Sequence, residues 1–152
     1  MYFYNKIKEF ANEKKYEIYV DMDGVIASYD FGRPLDFETK RPVMTNINTL
    51  LEISKIENIK LHILSVCRKD FQIEEKNNWL DKYAPFFKKE DRVILSKETY
   101  INKKSEELKA EYLKSIKEGK NVILVDDDNR VLKEVNRVNP EVICFQDSEL
   151  VD

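Results

Sequence analysis

Two carboxylates, Asp21 and Asp23, stand one residue apart at the end of an apolar run, with Gly24 directly behind them. Side chains one residue apart on a strand share a face; where the strand ends, the chain turns, and Asp23 is free to swing aside while its carbonyl stays close. Gly24 permits that turn. Two carboxyls in different environments can divide the work of nucleophile and acid/base. A second acidic run, Asp126-Asp127-Asp128, ends "NVILVDDD", and Ser65 ends "IKLHILS". If these runs are neighbouring strands, at least three carboxylates and a hydroxyl converge, which folding tolerates only when a cation neutralises them. Oxygen ligands without histidine or thiolate point to Mg²⁺.

The elements that must position these residues are short β-rich runs separated by longer charged segments. Residues 16–22, 59–65, 92–96, 121–127 and 141–145 read as five strands. Helical spacing places Ile7, Phe10 and Ala11 on one face of a first helix over residues 4–14. It places Ile47, Leu50, Leu51 and Ser54 on a second over 43–56. Ile73, Trp79 and Leu80 mark a third helix, and Leu108, Tyr112, Leu113 and Ile116 a fourth. Strand, helix, strand repeats predict an α/β fold, a Rossmann-like three-layer sandwich with a five-stranded, mostly parallel sheet. In such a sheet ligands collect at the carboxyl ends of the strands, where both acidic runs lie. Residues 27–42, "ASYDFGRPLDFETKRP", read as neither strand nor helix and form the expected loop over the site.

The 152 residues suit one domain, and no Gly/Ser-rich linker or repeat divides them. A net charge of -3 excludes general attraction to nucleic acid or anionic membrane, so phosphate recognition must be local. No window approaches a membrane span, and the N-terminal residues lack the apolar stretch of a signal peptide. Cys67 and Cys144, without zinc or disulfide spacing, read as reduced thiols of a cytoplasmic protein. His62 sits mid-strand and reads as a satisfied sheet-face residue, Trp79 as packing its helix onto the sheet, and Asp128 as an N-cap for a helix from Asn129.

"DMDGV" after an apolar strand, "HILS", a later lysine and "ILVDDD" resemble the four ordered motifs of haloacid dehalogenase-like (HAD) phosphatases. "DMDGVIASYD" and "EKNNWLDKYAP" (75–85) further resemble the 5'(3')-deoxyribonucleotidase branch. The resemblance implies that Asp21 is a nucleophile forming an aspartyl-phosphate and that Asp23 is the acid/base. It implies that Ser65 and the turn amides from Met22 bind phosphate. Mg²⁺ would be held by the Asp21 carboxylate, the Asp23 carbonyl and one carboxylate of the Asp126-Asp127 pair, Asp127 being favoured. For the lysine, the K-A-E-Y run favours Lys109 and the place nearer the helix start favours Lys104. Arg68, close behind Ser65, is either a second phosphate contact or a solvated helix-start arginine.

The chain departs from that branch in having only the loop 27–42 where the relatives insert a helical cap. The implied function is a Mg²⁺-dependent phosphomonoester hydrolase with a nucleotide monophosphate or other small phosphorylated metabolite as first substrate. Without a cap, either a partner subunit, such as a second copy of the chain, closes the site, or the substrate is bulky enough to exclude water, as a nucleic-acid end is. A non-catalytic phospho-acceptor module is the alternative of another class. Receiver domains use a similar acidic pocket but carry their phosphorylated Asp on the third strand, which here ends in Ser96.

Overall fold

The computed structural model describes residues 2–29 and 36–151; positions 30–35 of the loop expected over the site lie outside the described residues. The strands are β1 (Tyr16–Val20), β2 (Ile59–Cys67), β3 (Arg92–Ser96), β4 (Val122–Asp126) and β5 (Ile143–Gln146). They form one parallel sheet in the order β3-β2-β1-β4-β5. The α-helices are α1 (Tyr2–Glu13), α2 (Met44–Ser54), α3 (Phe71–Tyr83), α4 (Ser105–Ile116) and α5 (Asn129–Val138). This is the Rossmann-like three-layer α/β architecture.

Alternation along the strands divides the core. Ile18, Val20, Ile63, Ile123 and Val125 pack with residues of α1, α2 and α3, whereas Tyr19, Leu64, Leu124 and Val122 pack with α4 and α5. Crossovers from β1 and β2 therefore run over one face, and those from β3 and β4 over the other. The reversal falls between β1 and β4, the switch point where an open parallel sheet leaves a crevice at its carboxyl edge. Asp21 directly follows β1 and Asp126 closes β4.

Two expectations shift. Ser65 lies inside β2, which runs on to Cys67, because β1 pairs with Ile59–Ile63 and β3 with the offset stretch Ile63–Cys67. The buried stripe of α2 is Asn46, Ile47, Thr49, Leu50 and Ile53, with Leu51 and Ser54 half-buried. The stripe rotates because both polar members donate to buried carbonyls, although Asn46 Oδ1 has no partner among the described residues. Asn46 donates to the Val25 carbonyl at 2.7 Å, and Thr49 donates to that of Leu150 at 3.3 Å.

His62 is stacked on Tyr19 with ring centroids 4.3 Å apart, and its Nε2 lies 2.7 Å from Glu17 Oε1. Burial holds its pKa below the ordinary value although Glu17 pulls upward. The Asp128 carboxylate accepts from the Arg130 N–H at 2.8 Å and caps α5. Among the described residues no helix is long and apolar enough to cross a membrane.

Candidate active site

At the β1/β4 crevice the carboxylates of Asp21, Asp126 and Asp127 each bring an oxygen within 4.8 Å of the others. Strand parity aims Asp21 and Asp126 at the α4 layer, and Lys109 meets them from that helix. Its Nζ is 2.9 Å from Asp21 Oδ1 and 2.7 Å from Asp126 Oδ2. Asp126 is fully buried, and its second oxygen accepts from the Asp128 N–H at 3.0 Å. Asp127 is half-buried and keeps more of its coordination capacity open.

One ammonium thus faces two buried carboxylates with a third beside them, and the effect on the two partners is unequal. Burial pulls the Lys109 pKa down, but Asp21 and Asp126 together outweigh it and hold the group above its ordinary value. Asp21 is pushed up by burial, and the relief from Lys109 is offset by Asp126 and Asp23. Asp127 is raised to about 6, by burial first and Asp126 second. Such crowding is stable only with a shared proton or a cation, and an all-oxygen donor set of this size suits Mg²⁺. The cluster could therefore bind a metal ion through Asp21, Asp127 and Asp126.

Asp23 leaves this cluster. The turn after β1 winds tightly, with the Met22 carbonyl accepting from Val25, Ile26 and Ala27 at 2.9 to 3.2 Å, and Gly24 donates to Ala27. Met22 itself is buried. The Asp23 carboxylate takes Lys40 Nζ on Oδ1 at 2.5 Å and Lys76 Nζ on Oδ2 at 3.2 Å. Burial raises its pKa, but the two lysines win and hold it below the usual carboxylate range. Ser65, fully buried, points to the α3 layer, where its Oγ accepts from Lys76 at 2.6 Å.

Gly24 has φ +81°, and a Cβ there would lie 2.0 Å from Asp127 Oδ2. Gly24→Ala is therefore expected to cost about 1–3 kcal/mol in backbone strain and displaced contacts. It should also weaken the rise in melting temperature that Mg²⁺ gives, because Asp127 must move. Thermal melts of both proteins with and without Mg²⁺ check this; an undiminished Mg²⁺ response would remove Asp127 from the metal set.

Of the residues singled out from the sequence, Asp21, Asp126, Asp127 and Lys109 meet in one cluster, while Asp23 and Ser65 stand beside it. Lys104 does not reach it. It is exposed at the N-cap of α4, where its backbone N–H donates to Glu107 at 3.4 Å, because the α4 stripe that packs on the sheet begins only at Leu108. Arg68 is exposed in the loop after β2, its backbone N–H donating to Gln72 Oε1 at 3.0 Å.

Sequence reasoning assigned no role to Lys40 or Lys76. Lys76 has a legible signal in hindsight: Gln72, Lys76, Trp79 and Leu80 form the buried stripe of α3, so a lysine occupies an apolar position. Trp79, one turn on, donates from Nε1 to the Lys40 carbonyl at 2.9 Å. Nothing around Lys40 in "ETKRP" marks it.

No family model matches the chain, and no curated protein does. Solved structures do. A chain from the structure of a Pnkp1/Rnl/Hen1 complex superposes with a TM-score of 0.68 at 22% identity, over 88% of this chain and 46% of that one. A chain from the structure of the Pnkp1/Rnl/Hen1 RNA repair complex gives 0.67 and 21%, over 88% and 42%. The chain thus spans less than half the length of these neighbours, and the likeness establishes the fold.

Proposed function

We propose that the chain is a HAD-like, Mg²⁺-dependent phosphomonoester hydrolase whose substrate is the phosphorylated end of a nucleic acid. The observation that carries the chemistry is the Asp21, Asp126 and Asp127 cluster, with Lys109 set into it, at the switch point of the sheet. In this reading an Asp21 oxygen attacks phosphorus and the P–O bond to the leaving alcohol breaks; Asp23, an ionised carboxylate while Lys40 and Lys76 hold it, first takes a proton from the arriving phosphate monoanion or from solvent and then gives it to that oxygen. Asp23 then takes a proton from the water that attacks the aspartyl-phosphate, releasing phosphate and restoring the Asp21 carboxylate. Lys109 holds Asp21 in place and offsets charge. Mg²⁺ would be held by Asp21 and Asp127, with Asp126 behind them, and would neutralise the phosphoryl oxygens as a Lewis acid.

The substrate class draws on two further supports. One is the likeness to chains from an RNA repair complex. The other is the rim of the same sheet edge, where the loops after β2 and β3 are tied together: Lys97 N–H donates to the Cys67 carbonyl at 2.9 Å, and Asp70 N–H to Glu98 at 2.9 Å. The loop after β3 exposes Tyr100 and Ile101, and the first residue of α3, Phe71, is exposed beside it. Arg68, Lys97 and, at the start of α4, Lys104 have no carboxylate partner among the described residues. Apolar platforms interleaved with free cations suit a single strand whose bases stack and whose phosphates pair. A nucleoside monophosphate, needing neither, is the second reading.

Turnover with Mg²⁺ of 3'- and 5'-phosphorylated oligoribonucleotides, set against nucleoside monophosphates, decides. We expect kcat/KM for an oligonucleotide end to be at least ~10-fold higher, with an advantage that shrinks as salt is raised. Equal turnover at all salt concentrations would favour the mononucleotide, and no hydrolysis of any phosphoester would favour the phospho-acceptor module.

A further inference from the structure

The charges of the site are sorted. On the α4 side three carboxylates share one ammonium, Lys109. On the α3 side the imbalance has the opposite sign: among the described residues, two ammoniums, Lys40 and Lys76, share the one carboxylate of Asp23. Both lysines are nearly buried, at 7% and 2% exposure. Both also lie over the same Phe37 ring, at 4.9 and 5.0 Å from its centroid. Holding two cations against one anion in so dry a place is costly unless a further anion arrives.

The lysines are also built in. Trp79 fixes the Lys40 backbone, and the Lys76 ammonium spends its donors on Ser65 Oγ, the Val66 carbonyl at 3.1 Å and Asp23. Because the Ser65 hydroxyl accepts from Lys76, its own hydrogen is available to another acceptor. Asp23, with a quarter of its side chain exposed, is the loosest member of the group.

Resting on the phosphatase reading above, we propose that Lys40 and Lys76 are the anion-binding half of the site. The oxygens of an arriving phosphoryl group take the two ammoniums away from Asp23. The Asp23 carboxyl, clamped by both lysines, is thereby released towards the leaving oxygen. Asp23 is therefore a competitor of the substrate for the same two cations. Substrate binding and delivery of the acid/base become one exchange of ion pairs, in which no covalent bond is made or broken.

Competition gives the test its sign. Binding of inorganic phosphate to the full chain is measured by calorimetry with and without Mg²⁺, alongside hydrolysis of a generic phosphoester. Lys40→Met and Lys76→Met are each expected to weaken phosphate binding by ~10-fold or more, as loss of a charge-assisted hydrogen bond does, and to raise KM by a similar factor. Lys40→Arg should recover most of the binding. Asp23→Asn should bind phosphate several-fold more tightly than the wild type while turnover collapses, a gain that a merely structural contact would not produce. If Lys76→Met fails to fold, the Lys40 pair and Asp23→Asn carry the test.

Wild-type affinity in both methionine variants, or weaker binding in Asp23→Asn, overturns the proposal and leaves the hydrolase reading intact. Lysine-dependent phosphate binding without hydrolysis of any phosphoester overturns the hydrolase reading instead.

Discussion

Asp21→Asn is expected to lower phosphoester hydrolysis by about 10⁴-fold or more while leaving the fold intact, because an amide cannot carry the phosphoryl group. The substitution is nearly isosteric, and the amide oxygen can still accept from Lys109, which now lies 2.9 Å from Asp21 Oδ1. It also removes one of the carboxylates crowded at the β1/β4 crevice. Burial, Asp126 and Asp23 all push the Asp21 carboxyl towards its neutral form, so the charge lost is one the metal-free fold bears badly. The melting temperature without Mg²⁺ should therefore stay level or rise, and the increment that Mg²⁺ adds should shrink. Turnover and paired melts measure both effects. Wild-type turnover in the variant would exclude Asp21 as the nucleophile; lost turnover accompanied by a collapsed melt would show that Asp21 serves folding.

The contrast between what the sequence revealed and what it hid follows from how each residue is held. Strands buried on both faces read as unbroken apolar runs, and Asp21 and Asp126 stand where such runs stop, so their place at one sheet edge follows from parallel pairing alone. Lys109 was legible less directly. It shares the buried surface of α4 with Leu108, Ala110 and Leu113, and a charged residue inside an apolar stripe must find a partner. Lys104 stays outside the cluster because cap position and inward aim are different properties: an N-cap flanks the helix and need not face the sheet.

The lysines on the α3 side were hidden for two reasons. Lys76 stands in a stripe interrupted by Gln72 as well, which blurs the helical period that would have marked its face. Lys40 comes from a loop, where no period exists, and it depends on a hydrogen bond from Trp79, 39 positions further along the chain. Pairing across such a separation is a property of the packed fold, whereas the exposure of Arg68 and the capping by Asp128 are settled within a few residues of each.

Lys109→Met should be the most destabilising single change in the site. It keeps the aliphatic length and packing of the side chain but leaves Asp21 and Asp126 facing one another at 7% and 0% exposure without a cation. Removing one partner of a buried ion pair costs about 3–5 kcal/mol, because the remaining charge is stranded. The loss should depend on pH in a defined direction. Without Lys109 the raised carboxyl of Asp21 rises further, so above the ordinary carboxylate value of 3.8 the folded variant holds more protons than the unfolded chain. Stability then falls as pH rises through that window and recovers on acidification, the reverse of a carboxylate stabilised by a salt bridge. Mg²⁺ should restore part of the loss at neutral pH, since a divalent cation between Asp21 and Asp127 supplies the missing positive charge. Urea unfolding at pH 5 and pH 8, with and without Mg²⁺, resolves the three effects. A variant equally stable under all four conditions would mean that water already screens these carboxylates, and Lys109 would then be free to serve the phosphate alone.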